Sequence, residues 1–107
     1  MNACLDYLRL RGCFCWRVNQ GAMTVTSDKG VRRFIRFSHQ KGISDIVGMT
    51  ADGKFIAVEC KIAPNKPTDD QRTFLQDVYA HDGIAIVAYE VEHLEPAFSP
   101  CVKLSGF

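Results

Sequence analysis

Apolar and polar positions follow two periods along this chain, and the places where the period changes mark its elements. From Asn2 to Arg11 the residues Cys4, Leu5, Tyr7 and Leu8 form one apolar stripe, which predicts a short helix stopped at Gly12. From Cys13 to Val18 the period falls to two, with Cys13, Cys15 and Arg17 on one face and Phe14, Trp16 and Val18 on the other, as in a strand. Asn19 to Gln40 is polar, basic and glycine-containing and reads mostly as a long loop, with room for a hairpin around Asp28-Lys29-Gly30. Ile43–Thr50 and Lys54–Ile62 read as two strands, and Asp52-Gly53 between them predicts a hairpin with a type I′ turn. Pro64 and Pro67 end the second of these strands. Thr68 to Asp82 reads as a helix: Thr68 and Gln71 have capping-box spacing, Asp69 and Asp70 suit the positive end of the helix dipole, and Phe74, Leu75, Val78 and Tyr79 form the buried stripe. Ile84–Tyr89 is a continuous apolar run, as expected of a strand covered on both faces, and Val91–Phe98 reads as a last short helix before Pro100.

Strand 54–62, helix 68–82 and strand 84–89 make a βαβ unit, for which a right-handed crossover is expected. The predicted fold is α/β (α+β): a mixed central sheet flanked by helices, in a single domain over residues 1–107. With 47% hydrophobic and 23% charged residues the composition is that of an ordinary globular domain, which excludes a disordered tail, a fibre and a coiled coil. No apolar run is long enough for a membrane span and the N-terminus lacks the pattern of a signal peptide, so the expected setting is a reducing cytoplasm. Five cysteines, an odd number with no Cys-x-x-Cys pair, read as structural thiols rather than disulfides or a zinc site. His39, His81 and His93 are scattered and read as surface or capping residues.

Charge changes the picture. The formal net charge is only +1, which argues against a polyanionic partner. Residues 1–41, however, hold eight basic residues and two acids, a net +6, while residues 42–107 hold five basic residues and ten acids, a net −5. Arg17, Arg32, Arg33, Arg36 and Lys41 are candidate phosphate contacts, and Phe34, Ile35 and Phe37 interleave the central three arginines.

Three charged residues are out of place in the pattern of a core sheet. Asp45 interrupts the apolar run 43–48, and Glu59 and Lys61 interrupt 55–61. A carboxylate in a central strand is costly to bury unless it is paired or binds a cation. The hairpin sets Asp45 beside Glu59, and two converging carboxylates suit a hard cation such as Mg²⁺ or Mn²⁺. A buried ion pair with Lys61, or a polar sheet face open to solvent, is the structural alternative.

The ordered set Gly42-Ile43-Ser44-Asp45, Glu59-Cys60-Lys61 and Gln71 in the following helix resembles the PD-(D/E)XK nuclease superfamily and, more narrowly, its VRR-NUC (virus-type replication-repair nuclease) family. The stretches 14–19, 42–48, 58–61 and 68–75 carry the resemblance, which covers about Leu5 to Phe98. It implies a restriction-endonuclease-like fold and Mg²⁺- or Mn²⁺-dependent hydrolysis of DNA phosphodiesters. Asp45 and Glu59 would ligate the metal with the backbone carbonyl of Cys60, and Lys61 would orient or deprotonate the attacking water. Gln71 would reach the same site, a role that competes with the capping box, since the same side-chain orientation is not expected to fill both. Ser44 stands where the superfamily has Pro, and the Glu that family members carry early in the first helix is missing, with only Asp6 there. The resemblance further implies branched or structured DNA (Holliday junctions or flaps) as substrate, in replication, recombination or repair in a bacterial or phage-infected cell. A homodimer would present two active sites to a junction. The rival expectation is a DNA-binding module that keeps the nuclease fold with little or no cleavage.

Overall fold

The computed structural model describes residues 2–18, 22–26, 32–36 and 40–98, with 22–26 and 32–36 described as backbone alone. Helix α1 (Asn2–Leu10) is followed by β1 (Phe14–Arg17), the hairpin strands β2 (Ala22–Thr26) and β3 (Arg32–Arg36), and then β4 (Ile46–Met49) and β5 (Phe55–Cys60). Helix α2 (Asp69–Ala80), β6 (Ile84–Ala88) and a 3-10 helix (Val91–Phe98) complete the order. The main sheet has the order β1-β4-β5-β6, with β1 and β4 antiparallel, β4 and β5 antiparallel, and β5 and β6 parallel across α2. This is the mixed α+β architecture that the hydrophobic pattern predicts.

Each face of the sheet is covered because each strand alternates. On one face Cys13, Cys15, Ile46, Ile56, Val58 and Ile86 pack under Cys4, Leu5 and Leu8 of α1 and Leu94 of the 3-10 helix. On the other, Val47, Ala57 and Ala85 pack under Leu75 and Val78 of α2. The small residues Ala57 and Ala85 let α2 lie close to the sheet. Gly48 permits a second close approach, since a Cβ there would collide with the backbone of β1 at Phe14 and Cys15. Pro96 lies inside the 3-10 helix, where its missing N–H prevents regular α-helical bonding.

Two expectations change. Within 19–40, read as mostly loop, the described residues include two strands: β2 and β3 pair antiparallel from Ala22↔Arg36 to Thr26↔Arg32. The proposed turn at Asp28-Lys29-Gly30 lies outside the described residues. The β4–β5 turn is also longer than the two-residue form. The Thr50 N–H donates to Lys54 O (2.8 Å) and the Gly53 N–H donates to Thr50 O (3.0 Å), which leaves Ala51-Asp52-Gly53 as a three-residue loop. Only Gly53 takes positive φ (+88°) within it, the arrangement of a turn followed by a left-handed glycine rather than type I′. Among the described residues no helix is long and apolar enough to cross a membrane.

Candidate active site

The sheet register brings the two interrupting carboxylates together. Ile46 pairs with Val58, so the next step of the same antiparallel ladder sets Asp45 opposite Glu59. The Asp45 carbonyl accepts the Val18 N–H (2.8 Å), which carries the β1–β4 pairing one residue beyond β4 and fixes the Asp45 backbone. Its carboxylate Oδ2 accepts the Cys60 N–H at 2.8 Å, tying it to the backbone between Glu59 and Lys61.

Glu59 follows Ala57 on the α2 face of β5 and is only 1% exposed. Its Oε1 accepts a hydrogen bond from Gln71 Nε2 at 3.1 Å and lies 3.7 Å from Lys61 Nζ. Its Oε2 is buried with no hydrogen-bond partner among the described residues. Burial, and then the Asp45 charge beside it, push the Glu59 carboxyl up to about 8, with Lys61 opposing in part. The metal-free site therefore holds a proton at neutral pH. The buried Ser44 hydroxyl, next to Asp45, likewise has no hydrogen-bond partner among the described residues.

Gln71 resolves the conflict posed by its two expected roles. The Gln71 N–H donates to Thr68 Oγ1 (3.2 Å), and Gln71 Oε1 accepts the Thr68 N–H (2.8 Å), completing the capping box. The other end of the same amide, Nε2, reaches Glu59. One orientation serves both, because a side-chain amide has an acceptor and a donor pointing apart. The expectation that the roles exclude each other is wrong. Gly42 brings the Asp45 turn against this helix end: its φ is +68°, and a Cβ there would collide with the Asp70 carbonyl and the Gln71 amide.

The donor chemistry fits a hard divalent cation. Two carboxylates meet with one buried oxygen unpartnered among the described residues, and a carboxyl pKa raised in this way, as at Glu59, is what a bound cation reverses. Among the described residues no third His, Cys, Asp or Glu joins them in a metal-sized cluster. Asp6 is exposed on α1, whose buried stripe packs on the opposite face of the sheet.

The basic candidates are more dispersed. Arg17 shares the Cys13–Cys15 face of β1, away from Glu59, and its Nη1 donates to Asn2 Oδ1 (3.3 Å). Lys41 is exposed in the turn that abuts α2. The side chains of Arg32, Arg33 and Arg36 lie outside the description, though β3 carries all three. The exposure of Phe14 and Trp16 on the Glu59 face was not read from the sequence. Alternation with the small, core-filling Cys13 and Cys15 is the signal for it.

A four-stranded mixed sheet between helices, with an acidic pair and a lysine at the end of its central strands, is the frame of a nuclease-type domain. The VRR-NUC domain model matches residues 2–92, and the chain belongs to that family. The family is one of nuclease-type domains acting on DNA. No curated protein and no solved structure matches the chain.

Proposed function

We infer that the protein is a metal-dependent DNA endonuclease that hydrolyses phosphodiester bonds in branched or structured DNA. The observation that carries this reading is the buried Asp45–Glu59 pair with its unpartnered Glu59 Oε2, gathered with Lys61 and Gln71. Asp45, Glu59 and the backbone carbonyl of Cys60 would hold Mg²⁺ or Mn²⁺. When bound, such an ion acidifies a coordinated water and offsets charge at the phosphoryl group. Lys61, its ammonium 3.7 Å from Glu59, orients the attacking water and steadies a phosphate oxygen. Gln71 holds the Glu59 carboxylate in one orientation from the rigid first turn of α2. The Cys60 N–H does the same for Asp45. Arg32, Arg33, Arg36 and Lys41 supply phosphate contacts, and two copies of the chain would set two sites on one junction.

A panel of labelled four-way junction, flap, nicked, single-stranded and linear duplex DNA, with Mg²⁺, Mn²⁺ or EDTA, tests the reading. Cutting of junction or flap only with metal, lost in Lys61→Ala with binding retained, is the expected result. One observation favours a second reading, a binding module with little cleavage: two acids rather than three meet at the site among the described residues. Tight binding of the same DNAs without cutting in either metal would decide for it.

A further inference from the structure

The face of the sheet that carries Glu59 is only partly covered by α2. Val18 packs against the α2 core, and Trp16 and Phe14 follow it on the same face of β1 at alternate positions. Beyond the helix they are 46% and 68% exposed. Across the sheet Phe14 pairs with Met49 and Met49 with Phe55, and these too are exposed, at 44% and 42%. The result is an apolar shelf beside α2 that ends in two aromatic rings. Large exposed apolar groups gathered in one place mark a contact surface.

Three observations identify what it contacts. The shelf is continuous with the acidic site: Trp16 pairs with Val47, Val47 with Ala57, and Glu59 lies two residues beyond Ala57. Two strand spacings and one two-residue step put Trp16 roughly 12 Å from Glu59. That is about three to four nucleotide steps at the duplex rise per strand. The sequence stretch holding the rings, residues 1–41, carries a net +6; Arg9, Arg11 and Arg17 of it lie on the opposite, α1 side of the sheet, and β3 carries Arg32, Arg33 and Arg36. The rings themselves lie 5.4 Å apart and are tilted by 58°, too close to admit a base between them, so each presents its outer face separately.

We propose that Phe14 and Trp16 form a stacking shelf for unpaired bases of the DNA strand running from the Asp45–Glu59 site. The proposal rests on the nuclease reading for the course of the strand, and it supplies a physical basis for preferring flaps and other DNA with unpaired bases over fully paired DNA. Every base has a π-face, so the shelf selects single-stranded character rather than sequence. A paired duplex keeps its bases stacked on one another and gains nothing from it.

Trp16 is the one tryptophan of the chain, so its emission reports the shelf directly. The wild-type protein is titrated in EDTA with a twelve-nucleotide oligothymidylate and with an abasic phosphodiester strand of equal length. Thymidylate is expected to quench the indole, and the abasic strand to leave it unchanged. By anisotropy, Trp16→Ala should bind labelled thymidylate roughly 5- to 100-fold more weakly while binding blunt duplex as before, and Trp16→Phe should retain most of the affinity. Equal quenching by the abasic strand, no quenching by either, or equal loss of duplex and single-strand binding would overturn the proposal. So would quenching that depends on protein concentration alone, which assigns the shelf to contact between copies. Because no metal is present, a chain that never cuts can still pass this test. Metal-dependent cutting without quenching would sink the shelf and leave the nuclease reading standing.

Discussion

Replacing Glu59 by Gln removes a buried ionisable carboxyl at nearly constant shape, and its effect on the metal-free protein follows from the surroundings of that carboxyl. Burial and Asp45 raise the folded-state pKa from 4.5 to about 8. A group raised on folding contributes stability that is fully present below its unfolded value and is lost as pH climbs through the folded one. In EDTA the wild type should therefore lose about 1.4 kcal/mol for each pH unit between pH 5 and 8, approaching about 5 kcal/mol in all from this residue. That is a large part of the 5–15 kcal/mol typical of a domain. Glu59→Gln has no proton to lose, and its amide can still accept from Gln71 while donating to Asp45. Urea melts of both proteins across pH 5–9 isolate the difference, since every other titrating group is shared. The variant should gain on the wild type steadily from pH 5 to 8 and hold a constant lead above. Added Mn²⁺ should then raise the wild-type melting temperature at pH 8 and leave the variant where it was. Melting curves that stay parallel across the whole pH range would refute the placement of an ionisable, poorly solvated Glu59 beside Asp45. Equal stabilisation of both proteins by Mn²⁺ would refute Glu59 as a ligand.

Further substitutions separate the parts of the site. Gln71→Glu keeps an N3 acceptor for the Thr68 N–H but replaces the Nε2 donor with a carboxylate oxygen facing Glu59, which is protonated at pH 6, so thermal stability at that pH should fall by no more than about 1 kcal/mol while metal-dependent cutting drops by at least tenfold. Gly42→Ala should cost about 2 kcal/mol or more in chemical denaturation, because the left-handed φ and the collision with the α2 backbone act together. Leu75→Ala, at a fully buried position in the α2 core, should cost about 2–5 kcal/mol and test whether α2 packs as described. Joint replacement of Arg32, Arg33 and Arg36 by Ala should reduce the slope of log Kd against log salt for duplex DNA by up to about 3, and an unchanged slope would remove them from the interface.

The elements that could be read from the sequence are those where one signal settles the outcome. In β5 the alternation of Ile56 and Val58 with Ala57 and Glu59 assigns both faces, and the structure divides them between the two cores as that alternation requires. In α2 the Thr68 cap and the Leu75–Val78 stripe agree, and the helix forms between them. The β2–β3 hairpin was harder to read because β2 mixes Thr24 and Thr26 with apolar residues and β3 sets Phe34 and Ile35 among three arginines, patterns that loop and strand share. Asp52-Gly53 marks a turn correctly, but the dipeptide cannot say how many residues the loop contains. That depends on whether Thr50 and Lys54 pair, a matter of sheet register.

The acidic site was legible as a list of residues and illegible as a set of bonds, and Gln71 shows why. In sequence, a cap and a site ligand compete for one side chain, because only one position is visible at a time. In the fold, β5 ends where α2 begins its first turn, and Gly42 allows the Asp45 turn to close against that same point. The amide then spans the gap, accepting from the helix backbone and donating to the carboxylate. Capping the helix thereby fixes the position of the Nε2 donor, so the energy that starts α2 also orients Glu59. Loss of Thr68 should on this argument disturb the site without touching it: Thr68→Ala frees the Gln71 N–H, and metal-linked stabilisation should weaken together with the helix. If Thr68→Ala lowers thermal stability by the ~1 kcal/mol of a lost cap yet leaves the Mn²⁺ response intact, the two roles of Gln71 are independent and the coupling is absent.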